Sequence, residues 1–294
     1  MKRTIISFLL LFSFFIVSAQ TVPQGTVLES LKMDSKMMPD PVNYTIYLPP
    51  DYGTSQRRYP VVYLLHGFSD NDMGWIQFGE ANMTADQAIA NREIPPMIIV
   101  MPDGGVTWYT DDYKGKEPWA EMFVNEFIPY IDANYRTRPK KEFRGISGLS
   151  MGGYGSLHTA MRNTDIFVAC AAFSSGVIPK ERVTQMPEKQ YQSYFKSIFG
   201  EKLVGEDRFN EHWQAFDPFT LLDTVPMDKL KSVRWYLDCG DDDFLYRGNS
   251  ALHVKMRMIE LPHEYRVRDG AHTWSYWRTG LKDALAFIGK SFHR

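Results

Sequence analysis

Four short segments, residues 61–65, 97–101, 167–173 and 233–237, carry apolar side chains almost without interruption. Runs of that kind belong to strands covered on both faces, the condition of a parallel sheet. Residues 42–48 differ: Val42, Tyr44, Ile46 and Leu48 alternate with Asn43, Thr45 and Tyr47, which predicts a strand with one wet face. Pro49-Pro50-Asp51-Tyr52-Gly53 ends it. Helical periods lie between the runs. Phe123, Phe127, Tyr130 and Ile131 share one stripe, and Leu281, Leu285, Ile288 and Phe292 share another. The repetition of strand, helix and strand predicts an α/β fold, a mostly parallel twisted sheet with helices on both faces.

Length and charge narrow the possibilities further. The 294 residues, 44% of them apolar, suit a single α/β domain that buries most of its unfolded surface. Lys and Arg number 33 against 35 Asp and Glu, so no basic excess points to a nucleic acid partner. Two cysteines, Cys170 and Cys239, cannot build a disulfide scaffold or a four-thiolate zinc site. Both fall on or beside apolar strands and are expected as free buried thiols.

Lys2 and Arg3 precede an apolar run at residues 5–17, and Val17-Ser18-Ala19 places small residues where a signal peptidase cuts. The run is too short to cross about 30 Å of hydrocarbon comfortably. Residues 1–19 are therefore expected to be a signal peptide, which makes the protein secreted or periplasmic, without stable membrane insertion after cleavage. One domain is expected over residues 20–294. Within it, residues 178–230 are rich in charge and aromatics and lie between two predicted strands. They read as a helical insert packed over the carboxyl edge of the sheet, where α/β proteins place their ligands.

The chemistry centres on Gly148-Leu149-Ser150-Met151-Gly152. A short strand is predicted before it, at residues 143–147, and a helix after it, at residues 154–162. Gly-x-Ser-x-Gly in that setting is a sharp strand-to-helix turn that lifts a serine hydroxyl above the sheet. Composition alone would produce the pattern in about one chain in ten of this length, so its partners decide its meaning. A serine nucleophile needs a base, the base an orienting acid, and the oxyanion two donors.

His272 is the expected base, because it follows a strand-like stretch at residues 264–267 and the Asp269-Gly270 turn and precedes the last helix. His158 should pack on the helix after Ser150, His253 sits in mid-helix and His212 in the insert. His263 precedes a strand and His293 is near the end of the chain. The acid should follow the strand at residues 233–237, in Asp238-Cys239-Gly240-Asp241-Asp242-Asp243. Asp243 is the choice and Asp241 the runner-up, in the order Ser, Asp, His that this architecture uses. His66-Gly67-Phe68 ends the strand at residues 61–65, so the amides of Phe68 and Met151 are the expected oxyanion donors. The acidic triplet completes no calcium-loop pattern, and no metal or cofactor is implied.

These residues resemble those of the esterase D and feruloyl esterase-like α/β-hydrolases, which include carbohydrate esterases, tributyrin-type esterases and S-formylglutathione hydrolases. The likeness rests on Leu65-His66-Gly67, on Met101-Pro102-Asp103-Gly104-Gly105, and on Gly148 to Gly155 around the serine. Cys239-Gly240-Asp241-Asp242-Asp243-Phe244-Leu245 and Gly270-Ala271-His272-Thr273-Trp274 complete it. It implies Ser150 as nucleophile, His272 as base and Asp243 as acid, the same assignment. It also implies a two-step hydrolysis through an acyl-enzyme. A leader fits poorly with an intracellular thiol substrate. The expected partners are therefore small-molecule or polysaccharide esters, with acetyl or feruloyl groups on plant-type polysaccharides foremost. A generalist short-chain esterase, an acyltransferase and an inactive glycan-binding module are the alternatives. Trp75, Trp108, Tyr109, Trp119, Trp274 and Trp277 are candidates for stacking on an aromatic acid or a sugar ring.

Overall fold

Each uninterrupted apolar segment becomes a strand of one sheet. The computed structural model of the protein describes residues 22–293, so the leader expected at residues 1–19 lies outside the described residues. Eight strands are present among them: β1 (Thr26–Met33), β2 (Val42–Leu48), β3 (Val61–Leu65), β4 (Ile98–Pro102), β5 (Arg144–Leu149), β6 (Ala169–Phe173), β7 (Arg234–Asp238) and β8 (His263–Arg266). Their order across the sheet is β1-β2-β4-β3-β5-β6-β7-β8. β1 pairs antiparallel with β2, and β2 with β4; every other pairing is parallel.

Alternate side chains on the central strands feed two cores. Val61, Tyr63 and Leu65 join Ile146 and Leu237 on one side, with the helix Met151–Arg162 packed over them. Val62, Leu64, Ala171 and Tyr236 face the other way, under helices Ala81–Ala90 and Trp274–Gly289. The stripe expected through Phe123 and Phe127 is buried, but its helix contains a π turn at Phe123–Phe127. Between β6 and β7 the chain makes a series of short helices, including Lys180–Thr184 and Glu188–Tyr194. Among the described residues no helix is long and apolar enough to cross a membrane.

One expectation needs correction here. β2 has no wet face, because its alternate positions are buried under the helical layer and find partners there. Tyr47 donates to Asp86 Oδ1 at 2.6 Å and Thr45 Oγ1 to Asp72 Oδ2 at 2.6 Å. β1 has no period of two in its sequence, because its pairing shifts between Leu28 and Leu31, with Ser30 at φ +50°.

The sheet order also locates the site. From β3 the chain passes to β4 on one side, and from β5 it passes to β6 on the other. A topological switch point therefore lies between β3 and β5, where such sheets open a crevice at their carboxyl ends. Ser150 follows β5 and Gly67 follows β3.

A side chain at position 152 would have no room at this crossing. A Cβ on Gly152 would meet the His66 carbonyl oxygen at 2.5 Å and press against that of Leu65. Gly152→Ala should therefore lower stability by about 2–4 kcal/mol, read as a fall in the urea midpoint. An unchanged midpoint would show that the turn relaxes freely.

Candidate active site

Ser150 occupies the turn between β5 and the helix Met151–Arg162 at φ +54°, ψ −117°, a region that a residue with a side chain enters only under constraint. Its amide donates to the Phe173 carbonyl at 2.9 Å, and its carbonyl accepts from Tyr154 N at 3.0 Å and Gly176 N at 2.8 Å. Backbone on three sides thus holds the turn. Gly148 is required beside it, because a Cβ there would press on the Gly152 carbonyl and approach Leu65 Cβ at 2.9 Å.

The loops after β7 and β8 deliver the other two groups. They are stitched together by Cys239 N to Arg266 O and Asp241 N to Arg268 O, both 3.1 Å, and by Asp242 N to Gly270 O, also 3.1 Å. Beneath them, buried Asp238 accepts from Arg268 Nε at 3.1 Å, Tyr236 at 3.0 Å and Tyr276 at 2.5 Å. On this base His272 Nε2 stands 2.9 Å from Ser150 Oγ, and His272 Nδ1 stands 2.9 Å from Asp243 Oδ2. Phe244 and Trp277 flank the imidazole, with ring centroids at 4.4 Å and 4.8 Å.

Asp243 and Asp241 separate cleanly. Burial pushes the Asp243 carboxyl up, but hydrogen bonds from His272, Ser174 and the Leu245 amide outweigh it and hold the group below its ordinary value. Asp241 is exposed and turns away: its Oδ1 accepts from Gly270 N at 2.9 Å, pinning the loop that carries His272. Two supporting residues had no signal in the sequence. Ser174 lies at the end of β6 and accepts from Trp277 Nε1 at 2.9 Å, which ties Asp243 to the last helix. Arg268 anchors both loops through Asp238.

The amide of Met151 opens the helix and has no intrahelical acceptor. Across from it, a Cβ on Gly67 would lie 3.6 Å from Ser150 Cβ, so the backbone entering Phe68 passes beside the hydroxyl. His66 shapes that passage without entering the site. Its Nε2 accepts from Gly104 N at 2.9 Å and its Nδ1 donates to Gly67 O at 2.8 Å, the bonding of a neutral ring. The 3.4 Å approach of Asp103 to Nε2 is then a contact and no ion pair. His158 is fully buried, and burial together with Arg162 pushes it down to about 3; its Nε2 donates to Trp108 O at 3.2 Å.

Ser150 and His272 open on a cavity of about 480 Å³, whose walls include Phe68, Trp108, Tyr194, Phe195, Trp274 and Trp277. Trp108 has left-handed backbone, φ +56°, and its Nε1 donates to Tyr194 O at 3.0 Å, which fixes the helix Glu188–Tyr194 against the cavity. Asp70 also lines it, and burial lifts its carboxyl above the ordinary value against the pull of the Asn71 amide. Trp75 and Tyr109 do not reach the cavity. Trp75 is 1% exposed, donates to Leu65 O at 2.9 Å and supports Trp274 edge-on from below. Tyr109 is 0% exposed and donates to His66 O at 2.9 Å. Trp119 is buried too, stacked on Phe123.

Cys170 and Cys239 are buried and free; burial raises both thiols, Cys239 to about 12. Asp241, Asp242 and Asp269 come within 4.8 Å of one another on the surface, with one Asp241 oxygen already bonded to the Gly270 amide.

The family described as "Putative esterase" matches residues 35–288. The acetyl esterase of Caldicellulosiruptor saccharolyticus is 28% identical over 240 residues, 78% of this chain and 83% of that one. An endo-1,4-beta-xylanase/feruloyl esterase of Xylanibacter ruminicola is 34% identical over 157 residues, 50% of this chain and 21% of that longer protein. Among solved structures a ferulic acid esterase superposes with a TM-score of 0.79 at 31% identity, covering 92% of this chain and 99% of that one. An S-formylglutathione hydrolase from Agrobacterium tumefaciens, at 19% identity and TM-score 0.71 over 94% and 99% of the two chains, shares the α/β-hydrolase fold.

Two outcomes are expected at the acid. Asp243→Asn should reduce ester turnover by about 10⁴, whereas Asp241→Asn should change it less than about tenfold; equal losses would contradict the geometry. Because the folded Asp243 carboxyl lies below its ordinary value of 3.8, its contribution to stability is complete above that pH and disappears as pH falls through the folded value. Urea midpoints of wild type and Asp243→Asn should therefore stay apart down to pH 3.8 and converge only as pH falls below it. A gap that stays constant in acid would refute the pairing.

Proposed function

The chain belongs to the Esterase family and is a carboxylic ester hydrolase, and from that premise we propose that it is an exported serine enzyme that removes hydroxycinnamoyl groups from plant-type polysaccharides through an acyl-enzyme on Ser150. The observation that carries this reading is the unbroken contact from Ser150 Oγ through His272 to Asp243, 2.9 Å at each step, on the floor of an aromatic cavity. A volume of about 480 Å³ exceeds what an acetyl group fills and falls in the range that holds a small organic ligand. Trp108 and Phe195, with centroids 4.8 Å apart, together with Phe68 and Tyr194 at 5.0 Å, give a planar acyl group apolar faces. The charged and apolar run at residues 2–17 supports export.

Ser150 Oγ attacks the ester carbonyl as His272 Nε2 takes its proton. Asp243 holds Nδ1–H and stabilises the imidazolium that forms. The carbonyl oxygen, now negative, takes hydrogen bonds from the amides of Phe68 and Met151, with the N-terminus of the helix Met151–Arg162 adding positive potential. Collapse expels the alcohol, which leaves with the proton from Nε2. Water then attacks the acyl-enzyme by the same route, its proton passing to Nε2 and back to Ser150 Oγ as the acid is released.

Ser150→Ala should lower turnover by at least about 10⁴-fold and leave the urea midpoint of the protein close to that of wild type. On a panel of acetyl, butyryl and feruloyl esters, kcat/KM should be highest for feruloyl. A flat panel would replace this reading with a generalist esterase, and activity that survives Ser150→Ala would remove the mechanism.

A further inference from the structure

A second cavity of about 360 Å³ adjoins the first, and Ile178, Gln190, Phe244 and Leu245 line both. Its outer wall carries two guanidinium groups, Arg182 from the helix Lys180–Thr184 and Arg247 from the first turn of the helix Tyr246–Met258. No carboxylate lines it. Among the described residues the side chains of Arg182, Gln185 and Gln190 have no hydrogen-bond or ionic partner. Arg247 meets only the hydroxyl and ring of Tyr246, at 2.9 Å from Nε to the oxygen. Nearby, Lys180 pairs with Glu206 at 3.1 Å and Glu188 with Arg208 at 2.5 Å, while exposed Glu181 and Lys189 make no ion pair among the described residues. The cavity lining therefore presents two exposed arginines without a carboxylate partner, beside side-chain amides that bond to nothing else, a combination suited to a polar ligand that carries an anion.

The wall shared by the two cavities says which half of an ester reaches it. The leaving oxygen must stand at His272 Nε2 to receive its proton, and Phe244 packs on that imidazole while lining both cavities. On the reading above, the acyl group faces Trp108, Phe195 and Phe68, which line the first cavity and not the second. We propose that the second cavity is an alcohol-side subsite that takes an acidic saccharide, with Arg182 and Arg247 receiving the carboxylate of a uronic-acid residue. The inference rests on the serine esterase reading above. Arginine suits the task because its planar fork meets both oxygens of a carboxylate.

The test uses the full-length enzyme and paired xylo-oligosaccharide esters that differ only in a glucuronosyl branch, made in acetyl and feruloyl forms. For wild type at low salt the branched substrate should show a KM about three- to tenfold lower, with the advantage shrinking as salt is raised. In R182Q/R247Q the ratio of kcat/KM between branched and neutral substrates should fall to about one, while R182K/R247K should retain part of it. Because each variant is compared with itself on two substrates, a general loss of folded enzyme does not move the ratio. Hydrolysis of the neutral ester with no preference in wild type, or a preference that survives R182Q/R247Q, would overturn the subsite and leave the esterase reading intact. Failure to hydrolyse either ester would overturn the proposed action on plant polysaccharide esters and the subsite with it.

Discussion

The structure depends on one strained turn. Ser150 can hold φ +54° only because its amide and carbonyl are bonded to backbone from β6, from the loop after it, and from the following helix. Those bonds require the strands to sit at close spacing, which in turn requires Gly148 and Gly152 where β5 and its helix pass the end of β3. The burial of β3, β5 and β6 along their whole length follows from the same condition, since strands covered on both faces sit inside the protein from end to end. Local strain at the serine is thus sustained by the burial of the whole central sheet.

Around that fixed point the polar groups are arranged in two tiers. The upper tier, His272 and Asp243, touches the hydroxyl. The lower tier, Asp238 with Arg268, Tyr236 and Tyr276, holds the two loops in register without reaching the cavity. A buried carboxylate needs such a set of donors, because an unpaired charge at that depth would cost several kcal/mol. Asp241 belongs to the same scaffold through its bond to the Gly270 amide. The acidic run Asp241-Asp242-Asp243 therefore divides by position: one residue turns inward to the imidazole, one fixes a loop, and one remains in solvent.

Much of this was legible from the chain. The continuous runs at β3, β4, β6 and β7 identified the parallel core because burial on both faces leaves a signal in every residue. Ser150, His272 and Asp243 stood out because each follows a strand at the edge where ligands bind. What escaped had physical reasons. β1 is broken by a bulge, and the polar positions of β2 are buried against partners that lie 27 to 39 residues away in sequence. Trp75, on the short helix Gly74–Gln77, and Tyr109, on the loop after β4, point into the core, a choice made by packing that no local pattern records. Ser174 gains its place from the turn after β6 and Arg182 from the short helix Lys180–Thr184, and no local pattern marks either for its role.

The central claim is that His272 makes Ser150 a nucleophile, and a fluorophosphonate probe measures this directly. The probe should form a single adduct, mapped by mass spectrometry to Ser150, and its rate of attachment should fall by orders of magnitude in His272→Ala. An adduct on another residue, or labelling at Ser150 that proceeds equally well without the imidazole, would contradict the account.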